Sequence, residues 1–502
     1  MSRSLPCLSK SRFLAGRQCA KRLWLETHRP ELMPPVDPAT QAIFDQGHEV
    51  GALMRELFPG GVEIDRTQLD WTSAVAATRE AMRPAGGRVP VYEGAFEHAG
   101  AGCRVDVLVP VQAEGAEAWD LYEVKSSTSA KEVHAEDLAF QTLVLRGAGV
   151  LLRRSHLVHL DSGYEREGEI DPKRLFAIVD LTAEIEPMLP GIAQSVLELQ
   201  AVRAQPDEPQ VRIGPQCGDP YDCALIPHCW SGVPEASVFT LTRIGRRQWD
   251  LYARGVVELV DIPEDVDLND RQRIQVRAAR LGEPHIDAPE LRRFLAQLAY
   301  PLFYLDFETF APAVPPYTGT HPYQAIPFQY SLHIVERPGA TPRPAAFLAD
   351  GAGDPRAEFL SRLRRDLGEL EGAGTIVAFN AAFERSRLAE AAAFHTEHAE
   401  WAERAGQRFV DLLEPFRSFA FYHPSQLGSA SLKRVLPVLG ARGYDELEIQ
   451  SGDLAGREFL RSNLPTTPPE ERARIRAALL AYCGRDTEGM VEIVTALERL
   501  AE

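Results

Sequence analysis

The stretch Leu302–Phe310, reading Leu-Phe-Tyr-Leu-Asp-Phe-Glu-Thr-Phe, constrains this chain more than any other. It is apolar and aromatic except for Asp306 and Glu308. A short run of this kind reads as a buried strand, and in a strand positions i and i+2 share a face. Two carboxylates side by side in a low-dielectric setting repel each other and cost free energy. Either the strand ends in solvent with both acids hydrated, or positive charge offsets them, and a divalent metal is the usual source.

Later residues supply partners for it. Residues 374–380 read as a strand, and Phe383-Glu384-Arg385 opens the helix that follows. Asp411 stands near another strand end, either as an extra ligand or as a structural acid. A late helix carries Tyr482 and Asp486, which at i and i+4 are neighbours on one face. Four carboxylates (Asp306, Glu308, Glu384 and Asp486) are a set able to hold two metals that clamp attacking and leaving oxygens.

A second acidic set lies upstream. Residues 91–96, 104–109 and 119–127 read as strands, with Asp106 alone in one apolar run and Glu123-Val-Lys125 in another. Glu123 and Lys125 share a strand face. Two carboxylates that hold Mg²⁺ or Mn²⁺, with a lysine beside them, are what phosphodiester hydrolysis asks for. The ion polarises the phosphate and lowers the pKa of its water, and the lysine orients that water. A helix over residues 39–58 precedes these strands and carries His48, a candidate metal ligand once such a sheet follows. The first 25 residues hold Arg3, Lys10, Arg12, Arg17, Lys21 and Arg22 and no acid. They read as a basic amphipathic helix that either meets phosphate or forms a solvated face.

Cys217, Cys223 and Cys229 follow a C-x5-C-x5-C spacing in a loop containing Pro and Gly. Such a loop suggests Zn²⁺ or an iron–sulfur cluster, with His228 or Cys19 as the fourth ligand. Seven cysteines in 502 residues do not make a disulfide scaffold. Cys7, Cys103 and Cys483 have no evident partner.

The length suggests two to four domains, laid out as 1–235, a helical connector over 236–298, and 299–502. In the connector, residues 240–262 read as a helix-hairpin-helix-like element. Arg243, Arg246, Arg247 and Arg254, followed by Arg271, Arg273, Arg277 and Arg280, could face a phosphate backbone or simply coat a linker. The net charge of −18 argues against a protein coated in basic patches, though not against local ones. No apolar run has transmembrane length and no signal-peptide core is present, so a cytoplasmic protein without a membrane partner is expected.

On these motifs the N-terminal half resembles the RecB-like branch of the PD-(D/E)XK nucleases, particularly iron–sulfur members such as the CRISPR-adaptation exonucleases. The matching residues are His48, Asp106, Glu123-Val-Lys125-Ser-Ser and Gln141. The resemblance implies metal ligation by His48, Asp106 and Glu123, a catalytic Lys125, and a [4Fe–4S] cluster on Cys19, Cys217, Cys223 and Cys229. Leu145 stands where the family's Q-x-x-x-Y motif has tyrosine.

The C-terminal region resembles the DEDD (DnaQ-like) 3′→5′ exonucleases, through Asp306-x-Glu308, Asn380-Ala-Ala-Phe383-Glu384 and Tyr482-x-x-x-Asp486. Glu384 replaces the usual aspartate. In that family the four acids hold Mg²⁺ or Mn²⁺, and the tyrosine (here Tyr482) orients the attacking water. The whole layout resembles a bacterial family that fuses the two. The expectation is an α/β chain with a restriction-endonuclease-like N-terminal domain, a short helical connector and a ribonuclease H-like C-terminal domain. It would be a metal-dependent nuclease acting on DNA, single-stranded or with free ends, with RNA as the other candidate substrate. The alternative is a nucleic-acid-binding protein in which one or both centres are degenerate.

Overall fold

In the computed structural model, which describes residues 7–65, 67–83, 88–113, 115–368 and 374–502, the apolar runs between residues 91 and 160 form the centre of a seven-stranded sheet. The chain is mixed α/β and divides into two units, Met1–Gly232 with Pro312–Tyr323, and Val233–Ala311 with Gln324–Glu502.

In the first unit, β1 (Leu8–Ser9) attaches to a ladder of β2 (Val62–Glu63), β3 (Val91–His98), β4 (Ala101–Ala113), β5 (Ala116–Lys125), β6 (Leu152–Leu160) and β7 (Phe176–Asp180). The pairs β3–β4 and β4–β5 are antiparallel. β5 and β6 are parallel, as the helical crossover between them requires. Alternation along β5 sends Trp119 and Leu121 into one core and Tyr122 and Val124 towards the other.

Five helices of this unit matter below: α1 (Lys10–Gln18), α2 (Ala20–His28), α3 (Pro38–Arg55), α4 (Trp71–Ala81) and the crossover α5 (Glu132–Gly147). Phe13 of α1 stacks on Phe140 of α5 with ring centroids 4.5 Å apart, and both are fully buried. Burying each side chain contributes about 1.5–3 kcal/mol, which seats α1 against α5. Residues 312–323 also belong to this unit. Ala313 and Val314 join the core of Val50, Met54 and Val158, and the Tyr323 hydroxyl donates to the Ser126 carbonyl at 2.6 Å.

Three local expectations are corrected. The basic N-terminal helix is two helices, broken at Cys19, whose backbone is extended (φ −161°, ψ 120°). The apolar stretch 173–203 reads as helical in sequence, yet its residues 176–180 form β7, because Phe-Ala-Ile-Val-Asp pairs antiparallel with β6 and β-branched residues suit a pleated surface. The helix-hairpin-helix does not form. Positive φ at Arg243 and Gly245 interrupts the run, leaving one seven-residue helix, Arg247–Ala253. Some of its expected phosphate-facing arginines work internally: Arg247 donates to the Asp267 carbonyl at 2.6 Å and Arg280 to the Val260 carbonyl at 3.1 Å.

In the second unit, β8 (His285–Ile286) and β14 (Phe421–Tyr422) form a small ladder. The main sheet runs β11 (Arg343–Leu348), β10 (Ile326–Val335), β9 (Leu302–Phe310), β12 (Thr375–Ala378) and β13 (Phe409–Asp411). β9 is central, antiparallel to β10 and parallel to β12. Its register sets Asp306 opposite Ser331 and Glu308 opposite Gln329. The 33-residue helix Pro469–Ala501 buries Leu479, Cys483, Met490, Ile493 and Leu497, and its Leu479 carbonyl accepts from Gln329 Nε2 at 2.8 Å. No helix among the described residues is long and apolar enough to cross a membrane.

Candidate active sites

The first centre is built where β5 ends and α5 begins. Glu123 is 1 % exposed. Its Oε1 accepts Lys125 Nζ at 2.6 Å and Lys10 Nζ at 2.7 Å, and its Oε2 accepts Gln141 Nε2 at 2.8 Å. Lys125 also donates to Asp137 Oδ2 at 2.5 Å, and Gln141 donates to Asp137 Oδ1 at 3.1 Å. Asp106 Oδ2 accepts the Val124 amide at 2.7 Å.

Burial alone would raise the Glu123 carboxyl, but Lys10 and Lys125 outweigh it and hold that group well below the usual carboxylate range. Burial, followed by the charge of Glu123, pushes Asp106 up to about 7. The centre therefore neutralises itself, with ammonium groups placed against buried acids. Lys10 and Asp137 were not identified from the sequence. Asp137 stands four residues before Gln141, on the same helix face, and that spacing was the available signal. Lys10 was legible only as one charge in a basic stretch. His48 is exposed on α3. Ligand atoms of His48, Asp106 and Glu123 do not all come within 4.8 Å of one another, because Glu123 is turned to its lysines.

Cys19, Cys217, Cys223 and Cys229 are free thiols lining one small cavity, together with Lys21, Arg22 and Leu225. Gln18 ties α1 to the cysteine loop, donating to the Gln216 carbonyl at 2.8 Å and the Tyr221 carbonyl at 2.6 Å. Burial raises the Cys223 and Cys229 thiols, and Lys21 opposes this at Cys229. His228 is exposed and does not line the cavity. No three of these sulfurs lie within 4.8 Å of one another. Four thiolates about 2.3 Å from one Zn²⁺ would stand roughly 3.8 Å apart. As placed here, the sulfurs do not form the tetrahedral set that a single Zn²⁺ holds.

The second centre gathers on β9. Asp306 and Glu308 feel the charges of Glu384, from the helix Ala382–Phe394, and of Asp486, from Pro469–Ala501, though no three of the four carboxylates have ligand atoms within 4.8 Å of one another. Glu308, Glu384 and Asp486 are 5 %, 3 % and 7 % exposed. Burial, then the charges of Asp486, Glu308 and Glu384, push Asp306 well above the carboxylate range. Glu308 rises in the same way, Glu384 reaches about 8 and Asp486 about 7, burial being the first cause each time. Glu384 Oε2 is buried without a hydrogen-bond partner among the described residues. Oxygen donors of this kind suit Mg²⁺ or Mn²⁺, so these residues fit the ions that the motifs imply.

Three residues at this centre escaped the sequence reading as members of it. Cys483 places its Sγ 3.6 Å from Asp306 Oδ2, and Asp306, Glu308 and Cys483 have ligand atoms within 4.8 Å of one another. The Tyr444 hydroxyl donates to Asp486 Oδ1. Lys433, exposed, holds its Nζ 5.7 Å and 5.9 Å from the ring centres of Tyr444 and Tyr482, and its charge lowers both Glu308 and Asp486. Tyr482 is buried beside them, its ring 6.0 Å from that of Tyr444. Asp411 is occupied structurally. Its Oδ1 accepts the amides of Asn380 at 2.8 Å and Leu413 at 3.0 Å, holding Asn380 at φ 80°.

Residues 303–431 match a family described as a domain of unknown function, DUF2779. That span contains Asp306, Glu308, Glu384 and Asp411 and stops before Lys433, Tyr444, Tyr482 and Asp486. The chain is 26% identical over 215 residues to the uncharacterized protein MG366 of Mycoplasma genitalium, covering 39% of this chain and 32% of that protein. It is 27% identical over 207 residues to the MG366 homolog of Mycoplasma pneumoniae, covering 38% and 31%. The chain thus spans about a third of the length of the curated relatives it matches.

Proposed function

We propose that this protein is a metal-dependent nuclease with two hydrolytic centres, acting on phosphodiester bonds of DNA or RNA. The carrying observation is the second centre. Four carboxylates share a buried site, most of them pushed upward by burial and by one another, and Glu384 Oε2 has no hydrogen-bond partner among the described residues. Such a group is at rest only when protonated or when divalent cations supply the missing charge. Mg²⁺ or Mn²⁺ held by Asp306, Glu308, Glu384 and Asp486 would activate water and stabilise the leaving oxygen. Tyr482 would orient the water and Tyr444 would hold Asp486 in place.

The order β11-β10-β9-β12-β13, three antiparallel strands followed by two parallel ones, supports a ribonuclease H-like reading of this unit. The crossover helix between β5 and β6, with Asp106, Glu123 and Lys125 around it, supports a restriction-endonuclease-like reading of the other. The cysteine cavity is read as an iron–sulfur site on Cys19, Cys217, Cys223 and Cys229.

The test follows end-labelled single-stranded DNA and RNA with Mg²⁺ or Mn²⁺, using anaerobically purified wild type, Lys125→Ala, Asp306→Ala and the double variant. Two working centres require that each single variant remove a different set of products and that the double variant remove all. Binding without cleavage under either ion would replace this reading with that of a nucleic-acid-binding protein.

A further inference from the structure

Lys10 is the first residue of α1, a place where the helix dipole disfavours a cation. Helix formation therefore does not explain it. Two braces hold it there. β1 pairs Leu8 with Ala101 and Ser9 with Gly102 on β4, and Phe13, one turn on, stacks on Phe140 of α5. Between these fixed points the Lys10 ammonium reaches Glu123 Oε1 at 2.7 Å and stands 3.8 Å from Asp137 Oδ2. The Lys10 side chain is 26% exposed, whereas those of Glu123 and Asp137 are 1% and 3% exposed. The lysine thus lies on the solvent side of the acids, where a strand would arrive.

The charge balance points the same way. Lys10 and Lys125 face Glu123, Asp137 and Asp106, two cations against three acids when Asp106 is ionised. One divalent ion bound there turns the set net positive, and the single negative charge of a phosphodiester restores neutrality. An ion that takes Glu123 Oε1 must displace at least one of the two ammonium groups held there. Lys125 keeps Asp137 at 2.5 Å, so Lys10, held at 3.8 Å from that acid, is the one set free.

We propose that Lys10 is a second working lysine of the N-terminal centre: it guards Glu123 until a divalent ion arrives, and then holds a non-bridging oxygen of the phosphodiester substrate. This rests on the nuclease reading of that centre.

The experiment compares Lys10→Ala, Lys10→Arg and Lys125→Ala in an Asp306→Ala background, in which only the N-terminal centre cuts. Three quantities are read: steady-state cleavage of single-stranded DNA, the salt dependence of its binding in Ca²⁺, and Mn²⁺ affinity by calorimetry without nucleic acid. Lys10→Ala is expected to raise KM about tenfold or more with a smaller change in kcat. It should reduce the slope of log affinity against log salt by about 0.7 and tighten Mn²⁺ binding several-fold. Lys10→Arg should restore the salt slope, which a merely structural loss would not allow. If Lys125→Ala abolishes cleavage while Lys10→Ala leaves KM, slope and Mn²⁺ affinity unchanged, the assignment of Lys10 is overturned and the nuclease reading stands. If the Asp306→Ala parent does not cleave in Mg²⁺ or Mn²⁺, both fall together.

Discussion

The two carboxylate centres solve one electrostatic problem in opposite ways. Around Glu123 the chain supplies its own counter-charge, two ammonium groups within 2.7 Å and an amide from Gln141, so the acid stays ionised. Around Asp306 it supplies almost none. Lys433 sits over tyrosine rings, Cys483 is a neutral neighbour, and the acids are driven towards protonation. Buried charge is expensive in both places. The first centre offsets the cost within the fold, and the second offsets little of it.

The largest expected effect breaks this contrast directly. Glu123→Gln removes the acid shared by Lys10 and Lys125, leaving both ammonium groups to Asp137 and Asp106, and is expected to destabilise the first unit by about 3 kcal/mol. Asp306→Asn removes a repelling acid and should leave the metal-free second unit as stable or more stable, while abolishing its hydrolysis. Chemical denaturation in EDTA reads both. Equal losses of stability in the two variants would erase the distinction.

Next comes the ion itself. An excess of Mn²⁺ at about a hundred times its dissociation constant contributes about 2.7 kcal/mol. The second unit should gain that thermal protection, and should lose it in Asp306→Asn.

pH sharpens the same point. Glu384 and Asp486 are raised to about 8 and about 7 in the folded protein, above their unfolded values, so the folded state binds more protons between those limits. Their contribution is complete below the unfolded carboxylate range and is lost as pH rises through 7 and 8. In EDTA the second unit should therefore melt lower at pH 8 than at pH 5. A midpoint that rises with pH over this interval would contradict the unneutralised cluster.

The smallest effect is Tyr444→Phe. Losing its hydrogen bond to Asp486 is worth about 1–2 kcal/mol, an expected five- to thirtyfold fall in kcat of the second centre with KM little changed.

Much of this was legible in the chain because it depends on local pattern. The apolar run with Asp306 and Glu308 two apart, the strand carrying Glu123 and Lys125, and the i, i+4 pair Tyr482 and Asp486 each declare their own face through the period of strand or helix. The spacing of Cys217, Cys223 and Cys229 announced a shared site in the same way, and Cys19 does line their cavity. Three local expectations failed where tertiary pairing or positive backbone angles outweighed periodicity: the edge strand β7, the broken helix at Cys19, and the hairpin of helices stopped by Arg243 and Gly245.

By itself the sequence determined which residues could bear charge in a buried strand, and in what order. Only the tertiary structure decided how each charge is answered. Lys10 reaches Glu123 across 113 residues, Tyr444 reaches Asp486 across 42, and Cys483 reaches Asp306 across 177. No periodicity links such positions. Their meeting is set by strand register and by the packing of helices on the sheet, and that packing made one centre self-neutralising and left the other with little counter-charge from the chain.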